Sequence, residues 1–227
     1  GVRRLKPRRL RQWQQRWGAR LCGPPGMPHP GVSRNPLVKE VFRDFDSALC
    51  RAATEHQSKT LLKEKVNSAA RIAATRGFGR EYARGFVNRI MEVAEDPMAI
   101  KENLLFVADS IMRHAERDDP KTVRAFEKEF ETKVSKLFKA ALRRSDTKKV
   151  IADYLMQKLI PDWRKHCWFR KKMPGILKLL KEPARPMGKA DLLAPKVPLS
   201  PLFDFGDAGD LGGALSEAES AVPSEVP

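Results

Sequence analysis

Between about residues 37 and 182 the hydrophobic positions recur at three- and four-residue steps, the spacing of one face of an α-helix. No window shows sustained alternation of apolar and polar residues, so the pattern predicts an all-α domain. The apolar stripes predict these helices: one with Val38, Phe42, Phe45 and Leu49; one near 60–76; one from about Arg80; one over 104–115; one from Pro120 to Ala141; one from Ser145 through Leu159; and two short ones after Pro161.

Three of the periodic runs open with a side-chain acceptor followed by proline, at Asn35-Pro36, Asp96-Pro97 and Asp119-Pro120. An acceptor at the N-cap and a proline at the first helical position are typical of a helix start. The sequence therefore predicts that a helix begins at each of these three pairs.

The two ends of the chain differ in composition from the middle. Residues 1–36 carry nine basic residues and no acidic one, which predicts a flexible basic arm. An arginine-rich, acid-free start is also typical of a mitochondrial transit peptide. Residues 183–227 predict a proline-rich linker followed by an acidic disordered tail, in which 202–205 is a candidate docking motif.

The charge of the chain predicts an acidic partner. The formal net charge is +16 and the isoelectric point is about 10.0, which favours nucleic acid, a phosphoprotein or anionic lipid. The three cysteines are odd in number and widely spaced, as expected for reduced thiols in an intracellular protein. No apolar run approaches the roughly 20 residues that a helix needs to span a bilayer, which disfavours a membrane protein.

Motifs for enzyme chemistry are missing from the sequence. The four histidines lack the spacing of metal ligands, and His166 and Cys167 are neighbours that point about 100° apart on a helix. The Gly77–Gly79 segment has no strand before it and is therefore a turn between helices rather than a phosphate loop. The sequence predicts a binding protein with no catalytic centre, metal or cofactor.

Two groups of polar residues are candidates for binding. Asp109 interrupts an apolar helical run one position off its stripe, where it is either a solvated carboxylate or an acceptor for a docked peptide. Arg143, Arg144 and Lys148 surround a predicted turn, with Arg113 near the end of the preceding helix. They form either a solvated basic edge or an anion site, because guanidinium groups and a helix N-terminus both attract phosphate.

The middle of the chain, residues 37–182, resembles the RNA polymerase II CTD-interacting domain (CID) family. Phe106–Ile111 is similar to the family's Tyr-Leu-Ile-Asp-Ser-Ile signature, with phenylalanine in place of tyrosine and Arg113-His114 in place of a common Lys-Asn pair. The remaining similarity lies in the second helix, the fifth helix and the closing aromatic residues: Val66–Ala73, Phe126, Phe130, Leu137, Phe138, Leu159, Trp163 and Phe169. The Phe130–Lys133 stretch with Trp163 most resembles the CID of the U2-associated SURP-motif splicing factor.

This resemblance implies a right-handed superhelical bundle of about eight helices, related to the ENTH and VHS folds. It further implies a groove that binds the phosphorylated heptads of the polymerase tail. The implied peptide-binding residues are Asn67, Asp109, Ser110 and Arg113, and the implied phosphate-binding residues are Arg143, its near alternative Arg144, and Lys148. In this interpretation Asp109 accepts a hydrogen bond from the peptide, and Arg143 contacts a serine phosphate.

The resemblance thus implies a non-enzymatic nuclear adaptor for pre-mRNA splicing, 3′-end formation or termination, with RNA or spliceosomal proteins as further partners. One alternative is an endocytic adaptor of the ENTH or VHS type that binds phosphoinositide membranes. Another is an assembly subunit of a ribonucleoprotein. In that case Arg8 and Arg9 of the basic arm contact RNA phosphates, and Trp13 and Trp17 stack on bases.

Overall fold

The computed structural model describes residues 35–54, 59–75, 77–143 and 147–183, and within these ranges the protein has eight α-helices and no strand. The helices are α1 (Pro36–Thr54), α2 (Lys59–Ala74), α3 (Phe78–Glu95), α4 (Lys101–Asp118), α5 (Pro120–Glu131), α6 (Val134–Ala141), α7 (Lys148–Lys165) and α8 (Met173–Lys181). The predicted all-α fold of about eight helices is confirmed. Nearly all of the predicted basic arm and acidic tail lies outside the described residues.

Helix α4 is the centre of the bundle. It contacts α1, α2, α3, α5 and α6, and its most extensive packing is against α2. Its apolar residues surround the helix rather than forming one narrow stripe, as expected for a helix that is covered on most sides. The fully buried ones are Leu104, Leu105, Val107, Ala108, Ile111, Met112 and Ala115. This burial draws the polar residues between them into the interior as well.

Two of the three predicted helix starts are confirmed and one is wrong. The Asn35 side chain accepts from the Leu37 N–H at 3.0 Å, and Asp119 caps α5 through the N–H groups of residues 121 and 122. Asp96 instead ends α3, and its carboxylate accepts from the Met98 N–H at 2.7 Å in a turn. The next helix begins only at Lys101, because the segment 96–100 is used to reverse the chain.

The predicted fifth helix from Pro120 to Ala141 is in fact two helices. Lys133 leaves the helical conformation with φ −124°, and the Thr132 hydroxyl donates to the Glu129 carbonyl at 2.9 Å. The apolar spacing continues across the break, because the buried residues on both sides face the same core. Periodicity alone therefore did not reveal the turn.

Proline at position 161 does not end α7, contrary to the prediction of separate helices on its two sides. The helix continues to Lys165 and carries Trp163 into the core. A proline within a helix removes one N–H, here the donor to the carbonyl of Gln157. Gln157 is an exposed residue, and the helix continues past the missing donor.

A tight turn links α7 to α8. Cys167 and Phe169 have φ values of 60° and 54°, in the left-handed region that residues other than glycine seldom adopt. This backbone buries Trp168 and Phe169 at consecutive positions, and the Phe169 ring packs against Trp163 with ring centroids 4.7 Å apart.

Within the described ranges, no helix has the length and hydropathy required to cross a membrane.

Candidate functional site

A groove of about 260 Å³ lies between α2, α4 and α7. Its apolar lining comes from Val66, Phe106, Tyr154, Leu159 and Pro161. The rings of Phe106 and Tyr154 pack edge to face, with centroids 5.9 Å apart.

Asp109 lies at the inner edge of this groove and is hydrogen-bonded to the protein itself. Its Oδ1 accepts from the Trp163 indole N–H at 2.8 Å, and its Oδ2 accepts from Arg113 Nε at 2.8 Å. A second guanidinium nitrogen of Arg113 lies 3.4 Å from Oδ1. The carboxylate therefore ties α4 to α7 and receives charge-assisted hydrogen bonds from both partners.

The burial of Asp109 contradicts the prediction of a solvated carboxylate. The residue is only 9% exposed. The pKa of its carboxyl group is raised, because burial outweighs the positive charge of Arg113 and the hydrogen bonds from Arg113 and Trp163, which act in the opposite direction. The predicted hydrogen bond to a peptide would have to use the acceptor capacity that these internal bonds leave, since a carboxylate has about four lone-pair sites.

Arg113 connects the buried acid to the surface. One of its terminal nitrogens donates to Asp162 Oδ2 at 2.6 Å, and the Asp162 side chain is 43% exposed. Burial opposes the charged form of Arg113, but Asp109 and Asp162 together raise its pKa. The guanidinium group is therefore fixed between an inner and an outer carboxylate at the side of the groove.

A second polar pair joins α4 to α2. The Ser110 hydroxyl donates to Asn67 Oδ1 at 2.8 Å, and both residues line the groove. The structure thus brings all four predicted peptide-binding residues, Asn67, Asp109, Ser110 and Arg113, to one groove. Their role in binding a peptide remains a prediction.

The predicted phosphate-binding residues do not line this groove. Arg143 is exposed just after α6, and the Lys148 ammonium donates to the Pro183 carbonyl at 3.2 Å. Arg144 lies outside the described residues. The same holds for the residues of the predicted nucleic-acid arm: Arg8, Arg9, Trp13 and Trp17.

Two lysines that sequence reasoning missed do line the groove. Lys63 lies on α2 and Lys158 on α7, and neither ammonium has an ion-pair partner among the described residues. Helical spacing places both lysines on the groove side of their helices, because Lys63 precedes Asn67 by four residues and Lys158 precedes Asp162 by four. This spacing became informative only once Asn67 and Asp162 were placed on the groove.

The groove offers apolar surface, hydrogen-bonding groups and positive charge. Across the described ranges, no three histidine, cysteine or acidic residues are grouped so as to hold a metal ion. Ser110 has an amide oxygen as its partner rather than a base. These side chains are suited to binding a ligand that has both apolar and anionic parts.

Comparisons of the chain with protein-family models, with curated proteins and with solved structures each give no match. The class that the structure itself defines is an all-α bundle with a ligand-sized groove between three of its helices.

Proposed function

We propose that this protein is a non-enzymatic nuclear adaptor whose groove binds the phosphorylated C-terminal heptads of RNA polymerase II. In this role it links transcription to pre-mRNA processing. The proposal rests on one observation. A single groove is lined by the four predicted peptide-binding residues and by two lysines without an ion-pair partner among the described residues: Asn67, Asp109, Ser110, Arg113, Lys63 and Lys158. The resemblance of residues 37–182 to the CID family supplies the identity of the peptide.

The shape and lining of the groove suit a short extended peptide. A volume of about 260 Å³ is near the lower end of ligand pockets and accommodates a few side chains. The rings of Phe106 and Tyr154 offer apolar contact to the tyrosine and prolines of a heptad. Asn67, Ser110 and Gln157 provide polar groups for the peptide backbone.

The unpaired lysines fit the phosphate. A phosphoserine carries a charge of about −1.5 to −2 at neutral pH. Lys63 and Lys158 lie on opposite helices of the groove, whereas Arg113 is already held by two carboxylates. We assign the phosphate to the two lysines rather than to Arg143. Contacts of this kind are consistent with an affinity in about the micromolar range and with strong salt dependence.

The test is a binding titration of a fluorescent two-heptad peptide, with and without serine phosphate, against the full chain. Replacing both groove lysines by glutamine (Lys63→Gln with Lys158→Gln) should weaken binding of the phosphopeptide about tenfold, which corresponds to about 1.4 kcal/mol. Binding of the unphosphorylated peptide should change little, because it lacks the charge that the lysines contact.

Arg143→Gln is the control for location, because it removes an exposed cation outside the groove. We expect it to leave phosphopeptide affinity within about twofold of the wild type. A large loss with Arg143→Gln and none with the double lysine variant would instead support the residue implied by the family resemblance. Absence of binding to either peptide by the wild-type chain would refute the proposed function.

A further inference from the structure

The segment from the end of α7 through α8 is strongly and uniformly basic. Residues 164–181 read RKHCWFRKKMPGILKLLK, with seven lysines and arginines and no acidic residue. All seven basic side chains are exposed, and none has an ion-pair partner among the described residues. None of them lines the groove between α2, α4 and α7.

The backbone holds this charge in a defined place. The left-handed conformations of Cys167 and Phe169 direct two aromatic side chains into the core, where Phe169 also packs against Phe130 with ring centroids 6.1 Å apart. The Phe169 N–H donates to the Glu127 carboxylate at 3.1 Å. The following residues, 170–172, are therefore exposed on a turn that is anchored from both sides.

The acidic side chains that approach this turn are already engaged. Glu127 accepts the Phe169 N–H, and Glu116 lies 2.7 Å from His166 Nδ1. Asp162 is paired with Arg113. None of these three carboxylates lies within ion-pair distance of a lysine or arginine of the segment, and its seven basic side chains outnumber them.

The basic area extends beyond the segment. The hydrogen bond from Lys148 to the Pro183 carbonyl, at 3.2 Å, places the start of α7 beside the end of α8. Helix α8 also packs against α6, at whose end Arg143 is exposed. We call the basic residues of segment 164–181, together with Arg143, Lys148 and Lys149, the basic surface.

We propose that the basic surface binds the phosphodiester backbone of single-stranded RNA. Exposed like charges repel one another, and a polyanion that neutralises them relieves this repulsion. A flexible strand can follow cations arranged over a turn and several helix ends, whereas a duplex presents its phosphates in one fixed geometry. This site is separate from the groove and does not depend on the peptide proposed to bind there.

The buried aromatic residues favour a nucleic acid over a membrane and predict little sequence preference. Every large apolar side chain of residues 164–181 is at least partly buried, so the segment has no apolar face to insert among lipids. Trp168 is only 3% exposed and is not available for base stacking. Binding should therefore rest on phosphate contacts, and its affinity should fall steeply with salt.

The experiment compares two matched triple variants of the full chain. The first, Arg170→Gln with Lys171→Gln and Lys172→Gln, removes three charges from the basic surface. The control, Lys39→Gln with Arg84→Gln and Lys121→Gln, removes three exposed charges of the same types elsewhere. Each variant retains the basic residues 1–36, so any contribution of that segment is the same in all three proteins.

The probe is a fluorescent single-stranded oligouridylate of about 15 nucleotides, titrated at two salt concentrations. The basic-surface variant should bind it about tenfold more weakly at low salt, with a salt slope shallower by about 2, since each phosphate contact contributes about 0.7. The control variant should match the wild type. The basic-surface variant should also retain its affinity for the phosphorylated heptad peptide, and the double lysine variant of the groove should retain its affinity for RNA.

An equal loss of RNA binding in both triple variants would overturn the proposal, because it would show only a general effect of charge. Unchanged RNA binding in the basic-surface variant would also overturn it. Further titrations use single-stranded DNA, duplex RNA and anionic phospholipid vesicles. Single-stranded DNA shares the phosphate chemistry and should bind comparably, whereas stronger binding to vesicles or to the duplex would contradict the partner that we propose.

Discussion

Two aspartates of this bundle, each beside an arginine, have opposite hydrogen-bonding environments; Asp109 is buried, and the Asp46 side chain is 13% exposed. Asp109 on α4 accepts hydrogen bonds from the Trp163 indole and from Arg113, both at 2.8 Å. Asp46 on α1 lies 3.7 Å from Arg89 Nε, and its buried Oδ1 has no hydrogen-bond partner in the described part of the chain. Burial raises the pKa of Asp46 to about 7, although the charge of Arg89 opposes this effect.

The difference shows that an ion pair does not by itself make a buried carboxylate favourable. Removing a charge from water carries a large free-energy cost, which only well-placed hydrogen bonds recover. The donors around Asp109 supply such bonds at the groove. They offset only part of the cost of burial, because the pKa of Asp109 is raised as well. Asp46 is not part of the groove and lacks comparable bonds.

Trp163→Phe should give the largest loss of stability, about 3–5 kcal/mol in the free energy of unfolding. The change leaves Asp109 Oδ1 without the indole N–H and opens space in a fully buried site. Asp109 Oδ1 then resembles Asp46 Oδ1, a buried carboxylate oxygen without a well-placed donor. The measurement is chemical denaturation at neutral pH.

Trp168→Phe is the matched control, because it removes the same atoms from a residue whose indole N–H donates to none of the described residues. We expect a loss of about 1–2 kcal/mol from reduced packing alone. Equal losses for the two tryptophan variants would show that the bond to Asp109 contributes nothing.

Asp109→Asn should cost about 3 kcal/mol, because an amide can accept hydrogen bonds at only one of its two terminal atoms. Its NH₂ group would then face a donor, either the Arg113 guanidinium or the Trp163 indole. The control is Asp162→Asn. Asp162 also contacts Arg113, but its side chain is 43% exposed, so the substitution should lower the free energy of unfolding by no more than about 1 kcal/mol. A larger loss for the exposed residue would reverse our interpretation of the network.

Much of the fold follows from local patterns in the sequence, and the exceptions have local causes. Helical spacing of apolar residues predicts the bundle, and the caps at Asn35 and Asp119 form as expected. Asp96 carries the same signal but ends a helix, because its carboxylate caps a turn instead. A side-chain acceptor followed by proline fits either structure, and the sequence alone does not distinguish them.

The candidate site was less predictable, because its decisive contacts join distant parts of the chain. The four-residue spacing of Asp109 and Arg113 allows their ion pair to be anticipated. Trp163 could be recognised only as a closing aromatic residue, since its bond to Asp109 spans 54 positions. Arg143 belongs to a basic run in the sequence, yet tertiary packing places it away from the groove that Lys63 and Lys158 line.

The smallest expected effect is the pH dependence of stability that Asp46 confers. Its pKa rises from an ordinary 3.8 to about 7 on folding, so the folded protein binds a proton that the unfolded chain has released. This contribution is fully present below the unfolded pKa and is lost as the pH rises through about 7. Between about pH 5 and about pH 7, the free energy of unfolding of the wild type should therefore fall by about 2 kcal/mol relative to that of Asp46→Asn, which has no such group to titrate.

The measurement is urea denaturation at several pH values, with Asp44→Asn, an exposed neighbour on the same helix, as the control. If Asp46→Asn and wild type kept a constant difference across this range, the buried oxygen of Asp46 would have to be hydrogen-bonded in solution, and the contrast with Asp109 would disappear.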